Sequence, residues 1–99
     1  MEIIKYRSVN KGTLVGKLDL KIPKWGNFII RDITFFQQDN KKWITFPSQQ
    51  FEVEGQKKYK SYNLFEEAST MKLFQAQVLK ALDEYFKKNN DGDSNQLLF

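Results

Sequence analysis

Sixteen Lys and Arg side chains and fifteen aromatic ones (nine Phe, four Tyr, two Trp) carry most of the chemistry this 99-residue sequence has to offer. Lys17, Lys21, Arg31, Phe35, Trp43, Lys60 and Tyr62 fall at positions that a strand reading places on or near one sheet face. Basic pairs stand in the intervening loops: Lys41-Lys42, and Lys57-Lys58 followed by Tyr59. Cations along a phosphate backbone and flat side chains for unpaired bases are what single-stranded nucleic acid requires, each stack contributing roughly 1–3 kcal/mol. A single strand is therefore the expected partner, DNA ahead of RNA, bound with little sequence preference. The candidate contacts are Lys17, Lys21, Arg31, Lys42, Lys57, Lys58 and Lys60 for phosphates, and Phe35, Trp43 and Tyr62 for bases. The same residues admit another reading, in which the aromatics fill a core, a dimer interface or a partner interface and the lysines are a solvated face or edge protection. That is a protein-interaction adaptor.

Other chemistry is excluded by what is missing. The chain has no His and no Cys, which removes the usual base near neutral pH, thiolate nucleophiles, disulfides and the soft ligands of structural zinc. Asp19, Asp32 and Asp39 have no metal-ligand spacing, and no glycine loop is laid out to cradle a phosphate. No catalytic residue, metal or cofactor is expected. Asp32, set in an apolar strand, reads as a structural partner for a nearby cation. No run approaches the roughly 20 apolar residues of a membrane helix, and Met1-Glu2-Ile3-Ile4-Lys5 lacks the layout of a signal peptide, so a cytoplasmic protein without membrane contact is expected. Charge is uneven: 16 basic residues face 10 acidic ones in positions 1–88, and Asp91 and Asp93 supply the other two. A basic body attracts polyanions.

A chain of 11.8 kDa has room for one core, and its size predicts about two thirds of its surface buried. Ile3 to Val9 reads as a strand, followed by a turn at Asn10-Lys11-Gly12. Leu14 to Ile22 alternates, with Leu14, Gly16, Leu18, Leu20 and Ile22 on one side and Lys17, Asp19 and Lys21 on the other. Pro23 to Asn27 breaks the pattern. Phe28 to Gln37 carries apolar residues at both parities, which predicts a central strand covered in part on both faces. Lys42 to Phe46 forms the next strand, Gln49 to Lys58 a flexible loop, and Tyr59 to Phe65 the last strand. Ser69 or Thr70 caps a helix with a stripe through Phe74, Val78, Ala81, Leu82 and Tyr85, widened by Leu79 and Phe86 and ending near Lys88. The fold expected is α+β: a curved antiparallel β-meander of about five strands, then one C-terminal helix packed on one face. It makes one domain over residues 1–88.

Residues 89–99 read as an acidic, flexible tail, in which Asp91, Asp93, Leu97, Leu98 and Phe99 would recruit a protein partner. They resemble the terminal tails of bacterial and phage single-stranded-DNA-binding proteins. The succession Phe28-Ile29-Ile30-Arg31-Asp32-Ile33, then Trp43-Ile44-Thr45-Phe46-Pro47-Ser48, then Ser69-Thr70 leading to Val78-Leu79-Lys80-Ala81-Leu82-Asp83-Glu84-Tyr85, resembles the SpoVG septation-regulator family over residues 3–88. The resemblance implies a small sheet-plus-helix regulator that dimerises and binds nucleic acid. One departure bears on the site: Gln49-Gln50-Phe51 stands where the family tends to be basic, which shifts the expected charge to Lys57, Lys58 and Lys60. The Pro23-Lys24-Trp25-Gly26 turn and the tail look more like phage and prophage proteins.

Overall fold

A computed structural model gives the backbone of residues 1–97 and the side chains of residues 1–88. Six strands and one helix follow each other in the order β1 (Glu2–Lys11), β2 (Leu14–Ile22), β3 (Phe28–Gln38), β4 (Lys41–Thr45), β5 (Ser48–Val53), β6 (Gln56–Ser61) and α1 (Ala68–Leu97). β1 to β4 form an antiparallel meander with neighbours in chain order, and β5 pairs only with β6 in a separate ribbon. The class is α+β, with one C-terminal helix.

The alternation of β2 determines which side of the meander is the core. Leu18, Leu20 and Ile22 are buried there, together with Ile33 and Phe35 of β3, Ile44 of β4 and Phe46. α1 closes this side with Phe74, Val78 and Leu82, spaced four residues apart so that successive side chains project from one face. Each fully buried aliphatic group contributes about 1.5–3 kcal/mol. The helix also covers the free edge of β4, where the Gln75 carbonyl oxygen accepts the Ile44 N–H at 3.1 Å. An unpaired edge amide is thereby satisfied by a side chain rather than left as a template for another strand.

Two bulges set the faces of β2 and β3. Leu20 pairs with Ile30 but Leu18 pairs with Ile33, so β3 carries one extra residue at Arg31-Asp32. Asp32 takes φ +60°, a left-handed conformation that Asp tolerates better than most residues. Its N–H is held by the Asp19 carboxylate at 3.1 Å. The extra residue reverses the parity, so Ile30 before it and Ile33 and Phe35 after it all reach the core. Apolar residues at both parities in β3 therefore mark a bulge and not the two-sided cover expected from sequence. The second bulge lies at the start of β2, where Leu14 pairs with Phe36 and Gly16 with Phe35. It turns Val15 to the core and Leu14 to the opposite face, whereas simple alternation puts Leu14 with Leu18.

Gly16 is where the sheet has no room for a side chain. A Cβ there would lie 2.6 Å from the carbonyl oxygen of Arg7 and against the Tyr6 phenol.

The stretch expected to be a loop, Gln49 to Lys58, is instead most of the β5–β6 ribbon. Glu54 (φ +52°) and Gly55 (φ +78°) form its two-residue turn, a hairpin geometry that needs left-handed residues. Every residue of Gln49–Lys60 is exposed, so the ribbon has no apolar alternation to reveal it. Its base is closed by the Tyr62 N–H donating to the Pro47 carbonyl at 3.0 Å. The expected last strand, Tyr59 to Phe65, is displaced accordingly and ends at Ser61.

α1 begins at Ala68, one residue before the expected cap, and the Met71 N–H bonds to the Glu67 carbonyl at 3.1 Å. Its backbone also continues past Lys88 to Leu97. The side chains of Asp91, Asp93 and Leu97 and the whole of Leu98 and Phe99 lie outside the described residues. No helix among the described residues is long and apolar enough to cross a membrane.

Candidate functional site

Since the helix takes one side of the meander, the other side is left to whatever side chains the register puts there. Arg7 of β1 pairs with Lys17 of β2, Lys17 with Thr34 of β3, and Thr34 with Thr45 of β4. Directly opposed residues point to the same face, so these four form one row straight across the sheet. At about 4.8 Å per strand the row is roughly 14 Å long. Two cations are followed by two hydroxyls, all of them hydrogen-bond donors.

At the β1 end of the row, Lys5, Arg7, Lys17 and Arg31 surround a cavity of about 200 Å³ with Asp19 and Asp32. The β3 bulge creates this cavity, since Arg31 and Asp32 both line it. The two carboxylates have structural work: Asp19 holds the Asp32 backbone, and Asp32 pairs with the Arg7 guanidinium at 3.3 Å. Among the described residues, Lys5, Lys17 and Arg31 take part in none of the three ion pairs.

Over the row from Lys17 to Thr45 lies an open cleft of about 540 Å³. Leu14, Lys17, Thr34, Phe36 and Thr45 of the sheet line one side, and Tyr59, Ser48 and Ser61 of the ribbon the other. Phe36 and Trp43 are directly paired and stacked on this face, ring centroids 5.4 Å apart and planes within 10°. Trp43 thus backs the ring that faces the cleft, and Tyr59 is 66% exposed. Lys17 lines both spaces, so cations and aromatic floor form one surface.

The expected site residues divide. Lys17, Arg31 and Trp43 lie on this face. Lys21 lies further along it, pairing with Ile29 in register and with Glu2 as an ion pair at 3.4 Å. Phe35 does not belong to it: it is 3% exposed in the core and its ring lies 6.4 Å from Phe86 of the helix. Lys42 points to the helix side, where its Nζ is 3.7 Å from Asp83, because it neighbours Trp43 and strand neighbours face opposite ways. Lys57 shares the cleft-side ribbon face with Tyr59, while Lys58 and Lys60 share the other with Phe51. Tyr62 follows the ribbon, is 65% exposed and does not line the cleft.

Sequence reasoning omitted Lys5, Arg7, Phe36 and Tyr59 from the site. For Lys5 and Arg7 the signal was there, in their alternation against Ile4, Tyr6 and Ser8. Phe36 was hidden because the bulge shifts the outward parity by one residue. On the helix side, burial pushes the Tyr6 phenol up from its ordinary value, a hydrogen bond with Ser8 opposes this, and Tyr85 adds to it.

A second feature lies at the opposite end of β3, where Trp25, Phe28, Leu64 and Phe65 line an apolar cleft of about 190 Å³. Trp25, Phe28 and Leu64 are 55%, 48% and 65% exposed. Comparison with protein-family models, with curated proteins and with solved structures finds no match in any of the three.

Proposed function

We propose that this chain is a non-enzymatic protein that binds single-stranded nucleic acid across the outer face of its meander, with little sequence preference. The observation that carries this reading is Lys17, which joins a cluster of cations to an aromatic-floored cleft on one exposed surface. Arg7, Lys17 and Arg31 engage phosphates, Thr34 and Thr45 donate hydrogen bonds, and Phe36, backed by Trp43, stacks a base that Tyr59 covers from the ribbon. Single strands supply unstacked bases to such a floor and duplexes do not. The SpoVG resemblance points to the same class of partner.

Fluorescence anisotropy with single-stranded and duplex oligonucleotides at two salt concentrations tests this. Three or four phosphate contacts give log Kobs a slope of about −2 to −3 against log salt, at roughly 0.7 per contact on a single strand. Tighter binding of the single strand with such a slope supports the reading. Absence of binding at low salt, or equal affinity for duplex, overturns it.

The exposed aromatic cleft at Trp25 favours a second contact, with protein. A contiguous apolar patch is where a second copy of the chain or another protein would bury surface. If it holds a homodimer, Trp25→Ser converts the sedimenting species to monomer without altering oligonucleotide affinity per chain.

A further inference from the structure

The cavity at the β3 bulge differs in kind from the rest of the outer face, and its charge identifies what fits it. Four cations and two carboxylates leave it at +2. An internal phosphodiester carries one negative charge and leaves this excess half matched, whereas a phosphomonoester carries about −1.5 to −2 at pH 7 and presents three acceptor oxygens. Donors are in place for three oxygens, because Lys5, Lys17 and Arg31 are not engaged in the ion pairs formed by the described residues. Arg7 is oriented toward the cavity by Asp32. The cavity also lies at one end of the Arg7–Thr45 row, beside the edge strand β1. A strand laid along the row reaches this cavity at the edge of the sheet, where its terminal group can enter.

We propose that this cavity is a recognition site for a terminal phosphomonoester, so that the protein binds strand ends in preference to strand interiors. The inference rests on the single-strand reading above and names which part of the strand the surface selects. A 5′-phosphate and a 3′-phosphate offer the same dianion. Which one is bound depends on the direction in which the strand crosses the sheet.

The test uses the full chain and three versions of one 12-nucleotide oligothymidylate, bearing a 5′-phosphate, a 3′-phosphate or hydroxyls at both ends, measured by anisotropy. Binding of one phosphorylated version about tenfold or more tighter than the hydroxyl version is expected, because the end group brings about 1.5 to 2 negative charges among cations that take part in none of the ion pairs of the described residues. Arg31→Gln, at an exposed position that lines the cation cavity and not the aromatic cleft, abolishes that preference: the hydroxyl version is weakened only by the loss of one phosphate contact, while the ratio of phosphorylated to hydroxyl affinity falls to about one. Lowering the pH from 7.5 to 5 also reduces it, because the monoester loses its second charge near pH 6 and the chain has no His to titrate there. Equal affinity for all three versions overturns the terminal site and leaves the strand reading standing. Absence of binding to any of them overturns both. A preference that survives both Arg31→Gln and Lys5→Gln shows that the end is recognised elsewhere and overturns the assignment to this cavity.

Discussion

Phe35 and Phe36 are chemically identical neighbours that the structure sends to opposite sides of the sheet, so replacing each in turn tests the register and the function together. Phe36→Ala removes the ring that faces the cleft and leaves Trp43 without its stacked partner at 5.4 Å. Loss of one base stack costs about 1–3 kcal/mol of binding, which is roughly a 5- to 150-fold rise in Kd. The accompanying loss of stability is about 1–2 kcal/mol, since one aromatic pair on a half-open face is lost. Phe35→Ala has the reverse balance. Its ring is 3% exposed, and deleting a buried Phe costs about 3–5 kcal/mol of folding free energy, a large part of the roughly 5–15 kcal/mol that holds a domain together. Urea titration reads the stabilities and anisotropy on oligothymidylate reads the affinities, the latter under conditions where circular dichroism shows each variant folded. The expected pattern is a urea midpoint lowered by more than about 1 M for Phe35→Ala, and weakened binding with a clearly smaller fall in the midpoint for Phe36→Ala. If folded Phe36→Ala binds as the parent does, the aromatic floor is not the binding surface. If Phe36→Ala is the more destabilised of the two, the bulge-shifted register of β3 is wrong.

Three further outcomes follow from the geometry. Gly16→Ala should lower stability by about 1–3 kcal/mol, because its Cβ would lie 2.6 Å from the Arg7 carbonyl oxygen; an unchanged urea midpoint would contradict the close approach of β1 to β2. Gln75→Ala should cost about 1 kcal/mol and promote association through β4, since the Ile44 N–H loses its acceptor; light scattering and a denaturation curve read both effects. Tyr6, whose phenol is raised by burial, is more acidic in the unfolded chain than in the folded one. Its contribution to stability is therefore complete below about pH 10, the unfolded value, and is lost as pH rises through the higher folded value. Urea midpoints at pH 9 and pH 11 should fall less for Tyr6→Phe than for the parent; an identical fall would remove Tyr6 as the cause.

The parts of this fold that bury a regular stripe were legible in the sequence. Leu18, Leu20 and Ile22 on β2 and Phe74, Val78 and Leu82 on α1 repeat at the periods of a strand and a helix, and all six are buried. The turn at Asn10-Lys11-Gly12 and the break at Pro23 to Asn27 marked the first two connections of the meander, since short connections leave successive antiparallel strands adjacent. The β5–β6 ribbon was not legible because nothing buries either face of it, and a strand without a buried face has no apolar period to detect. The site was half legible for a related reason. Residue types named the chemistry, but the assignment of Phe35, Phe36 and Lys42 to a face depended on register, and one inserted residue in β3 reverses every assignment beyond it.

That inserted residue also explains why charged groups can interrupt an apolar strand at all. In a regular β3, Ile30 and Ile33 would face opposite sides, and one of them would leave the core. With the extra residue both reach the core, and Arg31 and Asp32 both line the outer cavity. The left-handed conformation at Asp32 is unfavourable for a residue with a Cβ, and here it is held by two contacts, Asp19 on the N–H and Arg7 on the carboxylate. Both contacts come from strands on the cavity side. The groups that hold the bulge are thus the groups that line the anion site, and a phosphate that draws Arg7 away from Asp32 acts directly on the bulge. Ligand binding and the local conformation of β3 are coupled through this one ion pair, so the amides of Arg31 to Ile33 are where hydrogen exchange should change first when a phosphorylated strand is bound. Unaltered exchange at those amides on saturation would show that the bulge is a rigid part of the core and that its charges are not where the ligand is held.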